Sequence, residues 1–141
     1  MDTSNTSVQT PFFVIFRLKS PADMQALLRD IPPLLPQVAE AADTIGTVHF
    51  ARFVVLGDTA LGFASVFDGE FQDYVMDFAK ALGPAFDLLF SHTVDPPPTP
   101  VARNAEAFVE WSQAHNVEPV IFYSGYPTLQ VQDIKALAAG A

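Results

Sequence analysis

The chain predicts an α+β fold built on a four-stranded antiparallel sheet, and three observations carry that expectation. A long apolar run, GTVHFARFVVL, is followed by a short turn and a second run, TALGFASVF. Next comes DGEFQDYVMDF, whose apolar residues repeat at helical rather than strand spacing. Two more β-branched and aromatic runs, one near each end of the chain, supply the remaining strands.

The elements follow in order. Residues 1–10 are polar and are expected to form a disordered tail, leaving 11–141 as one domain. Phe12 to Leu18 reads as a buried first strand. Ser20 is placed to cap a helix with Pro21 at its first position. That helix runs from Ala22 to Asp30 with Met24, Leu27 and Leu28 on one side, and Pro32-Pro33 must interrupt it. A second helix is expected from Pro33 to Ala42, before Gly46. Thr47–Leu56 and Thr59–Phe67 form a hairpin closed by Gly57-Asp58.

That register sets Phe63 opposite Arg52 and Val66 opposite His49. It places Phe50, Arg52, Val54, Phe63, Ser65 and Phe67 on one face. The other face carries His49, Ala51, Gly62 and Ala64, whose small side chains would admit close helix packing. Asp68 is positioned to cap a helix over Gly69–Leu82, with Gly83-Pro84 as its stop. A further helical stretch is expected at Ala85–Phe90, then a stiff DPPPTP loop. Asn104 opens a helix to Ala114 anchored by Phe108 and Trp111. Val120–Ser124 is the expected fourth strand, and Thr128 caps a last helix, Leu129–Ala139.

The order strand, helix, strand, strand, helix, strand is the split βαβ, or ferredoxin-like, pattern. Its sheet has helices on one face, and here the other face is also apolar. A second copy of the same sheet would cover it, so the chain is expected to be a homodimer enclosing a barrel-like space.

Composition narrows the function classes. Half of the 141 residues are apolar and 16% are charged, which describes a globular chain with 13 phenylalanines available for its core. The net charge of −9 opposes binding to phosphate backbones and to anionic membrane surfaces, so neither nucleic acid nor membrane is an expected partner. There are no cysteines, hence no disulfide, thiolate nucleophile or cysteine metal ligand. The first ten residues show no basic, apolar leader, and a cytoplasmic protein is the expectation.

The polar groups set within apolar runs are the candidate site residues. Arg52 lies mid-strand, where an unpaired buried guanidinium would be costly. It therefore meets a carboxylate, backbone carbonyls, water in a cavity or an anionic ligand. His49 is either a hydrogen-bonded packing residue or a ligand contact. Being three apart on a strand, the two are expected on opposite faces and not in one site. Ser65 is placed to offer a hydroxyl on the Arg52 face. Tyr123 and Tyr126 flank Gly125 and can present phenols at the mouth of a cavity. Asp68 could orient a base or bind substrate, but its place directly before a helix reads as a cap. His92 and His115 lie at helix ends, and three scattered histidines give no metal-ligand spacing. No cofactor motif occurs: there is no P-loop, GxGxxG or HExxH.

The block GTVHFARFVVL…GFASVFDGEFQDYVMDFA, followed by Ser91-His92 and by VIFYSGYPTLQVQDI, resembles a bacterial group of the dimeric α/β-barrel superfamily. The likeness spans roughly residues 11 to 135. That superfamily includes antibiotic-biosynthesis-type monooxygenases, muconolactone isomerase-like enzymes and dye-decolorising peroxidases. The resemblance implies a dimeric barrel with a small-molecule pocket and oxygenase- or isomerase-like chemistry. It transfers no catalytic residue. The haem-ligating segment of the peroxidases has no counterpart here, so haem is not expected. The alternative is a non-catalytic dimeric module that assists or binds another protein.

Overall fold

The central strand of the sheet is β3 (Ala60–Asp68), flanked on both sides by antiparallel neighbours, β1 (Gln9–Arg17) and β2 (Val48–Gly57), in the order β1-β3-β2. The computed structural model describes residues 7–140. The expected tail therefore lies largely outside the described residues, although Gln9 and Thr10 are strand residues and not tail. Five α-helices accompany the sheet among the described residues: α1 (Pro21–Asp30), α2 (Leu35–Ile45), α3 (Phe71–Ser91), α4 (Ala105–His115) and α5 (Val131–Gly140). The chain is thus α+β with a three-stranded antiparallel sheet.

Local chemistry sets most boundaries. Ser20 Oγ accepts the Asp23 N–H at 3.2 Å and Pro21 fills the first helical position, so α1 starts where expected. Pro32–Leu34 forms a 3-10 turn that leads into α2, and Gly46 ends α2 in the left-handed region at φ 76°. Gly83-Pro84 does not stop α3. The helix bends at Leu82, whose backbone is non-helical, and continues to Ser91, absorbing the stretch expected as a separate helix. Gly83 serves packing instead: a Cβ there would lie 3.3 Å from the Ala102 side chain.

The hairpin turn corrects the expected faces. The loop is Asp58-Thr59, with Gly57 opposite Ala60, and a bulge lies between Val55 and Gly57. The net slip is one residue, so Arg52 pairs with Ala64 and Phe53 with Phe63. A one-residue slip reverses every side chain. Leu61, Phe63, Ser65 and Phe67 face the helices and are buried, together with Phe12, Val14 and Phe16 of β1. Helices α1, α3 and α4 close this core with Met24, Leu27, Tyr74, Phe78, Phe90, Phe108 and Trp111. The small residues Gly62 and Ala64 lie on the opposite, open face with Phe50, Arg52 and Val54. There the Phe13 ring lies across Gly62, 3.0 Å from where a Cβ would sit.

The fourth strand is not formed. Asn116 makes a single bridge to Val14, Val117 N–H donates to Phe13 O at 2.7 Å, and the pairing then stops. Pro119 lacks the donor that would extend it. Residues 117–130 run without regular structure, with Val120 fully exposed and Ile121 and Tyr123 each 85% exposed. This segment and α5 border the open face at one end of the sheet. Gln9 Nε2 donates to the carbonyls of Tyr126 and Leu129, and Gln132 Nε2 donates to that of Gly46.

Candidate functional site

Two adjoining hollows lie between the open face and the C-terminal segment. One, of about 850 Å3, is walled by Phe13, Phe50, Arg52, Glu118 and Phe122. The other, of about 670 Å3, is walled by Phe50, Tyr123, Tyr126, Leu129 and Ile134. His49 borders both. Each is large enough for a drug-sized molecule, for which pockets of about 300–1,000 Å3 are usual.

A second bulge, between Val48 and Phe50, puts His49 there. Val48 pairs with Phe67 on the helix side and Phe50 with Val66 on the open side, and His49 is the extra residue between them. A bulge re-aims a side chain in this way. The imidazole meets the last residue of β3: His49 Nε2 lies 2.7 Å from Asp68 Oδ1, and the two side chains are 6% and 5% exposed. Asp68 Oδ2 accepts the N–H of Val131, the first residue of α5, at 2.7 Å. Three elements therefore converge on one buried carboxylate. Asp68 does not cap α3; the residue before that helix is Glu70, whose side chain makes no capping bond. Asp68 instead holds the N-terminus of α5, a role the sequence assigned to Thr128. Negative charge is favoured at that helix end.

The tautomer of His49 follows from its partner. An ionised carboxylate only accepts, so Nε2 carries the hydrogen, and in neutral imidazole Nδ1 carries the lone pair. Nδ1 has no hydrogen-bond partner among the described residues. His49 borders both apolar hollows.

Arg52 shares the larger hollow with His49, against the expectation that the two point to opposite faces; the bulge is the reason. Its guanidinium is exposed and makes no ion pair or hydrogen bond among the described residues. The expected burial cost does not arise, because no helix covers that part of the open face. Ser65 is on the other side of the sheet from Arg52. It is 4% exposed and its Oγ accepts the Tyr74 hydroxyl at 2.7 Å. Burial drives the Tyr74 phenol far above its ordinary range, so this pair stays neutral. Tyr123 and Tyr126 are 85% and 67% exposed at the edge of the smaller hollow.

The remaining histidines are structural. His92 Nδ1 lies 2.7 Å from Asp23 Oδ1, tying the end of α3 to the start of α1. His115 Nδ1 donates to Trp111 O, and its ring stacks on the indole at 4.1 Å. No group of three metal-ligating side chains occurs among the described residues, and no helix there is long and apolar enough to cross a membrane.

Asp68 is the residue for which sequence reasoning preferred the helix-cap role over orienting a base. An aspartate directly before a helix signals a cap. The expected register already set His49 opposite Val66, two residues from Asp68, but the capping signal took precedence. Comparison with family models, curated proteins and solved structures finds no match to this chain.

Proposed function

We propose that this chain is a small-molecule-binding protein whose ligand occupies the open face of the sheet, and that it works as a homodimer of the ferredoxin-like, dimeric α/β-barrel type. One observation carries the ligand reading. Arg52, whose guanidinium has no partner among the described residues, and His49 border one hollow whose walls are otherwise mostly apolar. Polar groups set in apolar walls fix the orientation of a ligand, and the walls supply the affinity. Arg52 suits an anionic group.

The topology is consistent with the ferredoxin-like reading. Asn116 and Val117 lie at the free edge of β1, where the fourth strand of that pattern belongs. The resemblance of the chain to the barrel superfamily extends the proposal to oxygenase- or isomerase-like chemistry, with no step assigned. The non-catalytic module is the second reading, and the exposed apolar side chains of Val120, Ile121 and Tyr123 favour it, since such residues suit a protein contact.

Ligand-observed NMR with a panel of small aromatic carboxylates separates the two. Binding that weakens in both Arg52→Gln and His49→Gln is expected. A panel without a single binder at millimolar concentration, or binders indifferent to both replacements, contradicts the ligand site. A visible absorption scan and native mass spectrometry of freshly purified protein would report any retained molecule.

A further inference from the structure

We propose that His49 accepts a proton from its ligand, and that the ligand is an apolar acid carrying an ionisable enol or phenol O–H as well as an anionic group. This rests on the open-face hollow being a ligand site and adds to it a chemical class and a role for one atom.

The geometry is that of an oriented base. Asp68 holds Nε2–H, and the Val131 N–H holds the other carboxylate oxygen, so the imidazole is fixed through one nitrogen, while the other has no partner among the described residues. The bulge in β2 sets this side chain against Asp68 at the border of the hollow.

The charged groups facing the site are few. Asp68 lies behind the ring, and Arg52 and Glu118 border the hollow. Proton transfer to Nδ1 creates an imidazolium against the Asp68 carboxylate, which offsets the new charge. Arg52, on the same strand face, attracts the ligand's permanent anion and the oxyanion being formed. Phe13, Phe50 and Phe122 match an aromatic or otherwise flat body.

In the step itself the ligand O–H bond breaks and its electron pair stays on oxygen. The proton forms the Nδ1–H bond, and the net charge of the complex is unchanged. No oxidant or reductant is involved.

The probe is 4-hydroxy-3-nitrobenzoate, whose phenolate absorbs in the visible and whose carboxylate supplies the anion. Bound to the protein, its phenol is expected to ionise at least ~1 pH unit lower than in water, a tenfold change in the ionisation equilibrium. His49→Gln, which keeps a donor toward Asp68, should still bind but lose the shift. Arg52→Gln should weaken binding about tenfold or more. Nitrogen NMR of the wild-type protein gives an independent readout: Nδ1 should change from the unprotonated to the protonated shift range when the probe is added. If the probe does not bind, the ligand-site reading fails and this inference with it. If it binds with no shift, with an equal shift in His49→Gln, or with Nδ1 unchanged, the proton-acceptor role is overturned and the ligand site stands.

Discussion

Asp68 shows how far one side chain organises this molecule, because both of its oxygens accept from groups that belong to other elements. Replacing it by alanine leaves a buried imidazole N–H and a helix-terminal N–H without acceptors. Each orphaned group costs about 1–3 kcal/mol. Asp68→Ala is therefore expected to lower the stability measured by urea unfolding and to abolish hydrogen-exchange protection at the Val131 amide. Retained protection would show that α5 is held by other contacts. The buried Ser65–Tyr74 pair makes the complementary case. Tyr74→Phe strands the serine hydroxyl at a cost of about 1 kcal/mol, whereas adding Ser65→Ala removes both partners and should recover part of it. An unfolding midpoint unaffected by Tyr74→Phe would mean that the hydroxyl finds another partner. Arg52 teaches the opposite lesson: its charge sits in apolar sequence but is exposed, because no helix covers that part of the open face.

At the scale of elements, α1 is set by chemistry legible in the sequence, and its acid sensitivity follows from the same residues. The Asp23 carboxyl is held below the ordinary carboxylate range, first by its hydrogen bond with Ser20 and then by His92. A value depressed on folding contributes stability above the unfolded value of about 3.9, and that contribution is lost as pH falls through the folded value. Asp23→Asn should therefore melt below the wild type at neutral pH, with the two curves converging in strong acid. A constant gap across that range would place the effect elsewhere. The strands β1 to β3, α1, α4 and the Gly46 stop were legible because each carries a short-range signal: a capping serine, an alternation of apolar residues, a glycine at positive φ. The hairpin register was not. The turn shifts by one residue and two bulges intervene, and periodicity is blind to both. The unseen slip set Arg52 beside Ser65 in the expected faces, and the unseen bulge at His49 set Arg52 apart from His49. The fourth strand failed for a related reason: Val120–Ser124 has strand-forming side chains, but Pro119 removes the backbone donor needed to join β1.

For the whole molecule the unpaid term is surface. Phe50 is 75% exposed on the open face, and Val120, Ile121 and Tyr123 project from the segment beside it. Removing such side chains from water is worth ~25 cal/mol per Å2. A standard interface takes about 800 Å2 from each partner. A two-fold pairing of copies would let the open face and the C-terminal segment of each cover those of the other, because an isologous contact uses the same patch twice. The charge on the chain, −9, works against this encounter. It acts at long range and is screened within a Debye length of about 8 Å at physiological salt, whereas apolar burial is not screened. The proposed dimer should therefore tighten as salt is raised, the reverse of an interface held by ion pairs. Sedimentation equilibrium at low and high salt tests this directly. The expected result is a dimer at micromolar concentration whose dissociation constant falls with added salt, and which Phe50→Asp or Ile121→Asp converts to monomer without loss of helical circular dichroism. A wild-type chain that stays monomeric at both salt concentrations would remove the dimer, and the open face would then have to bind its ligand as a single, solvent-facing sheet.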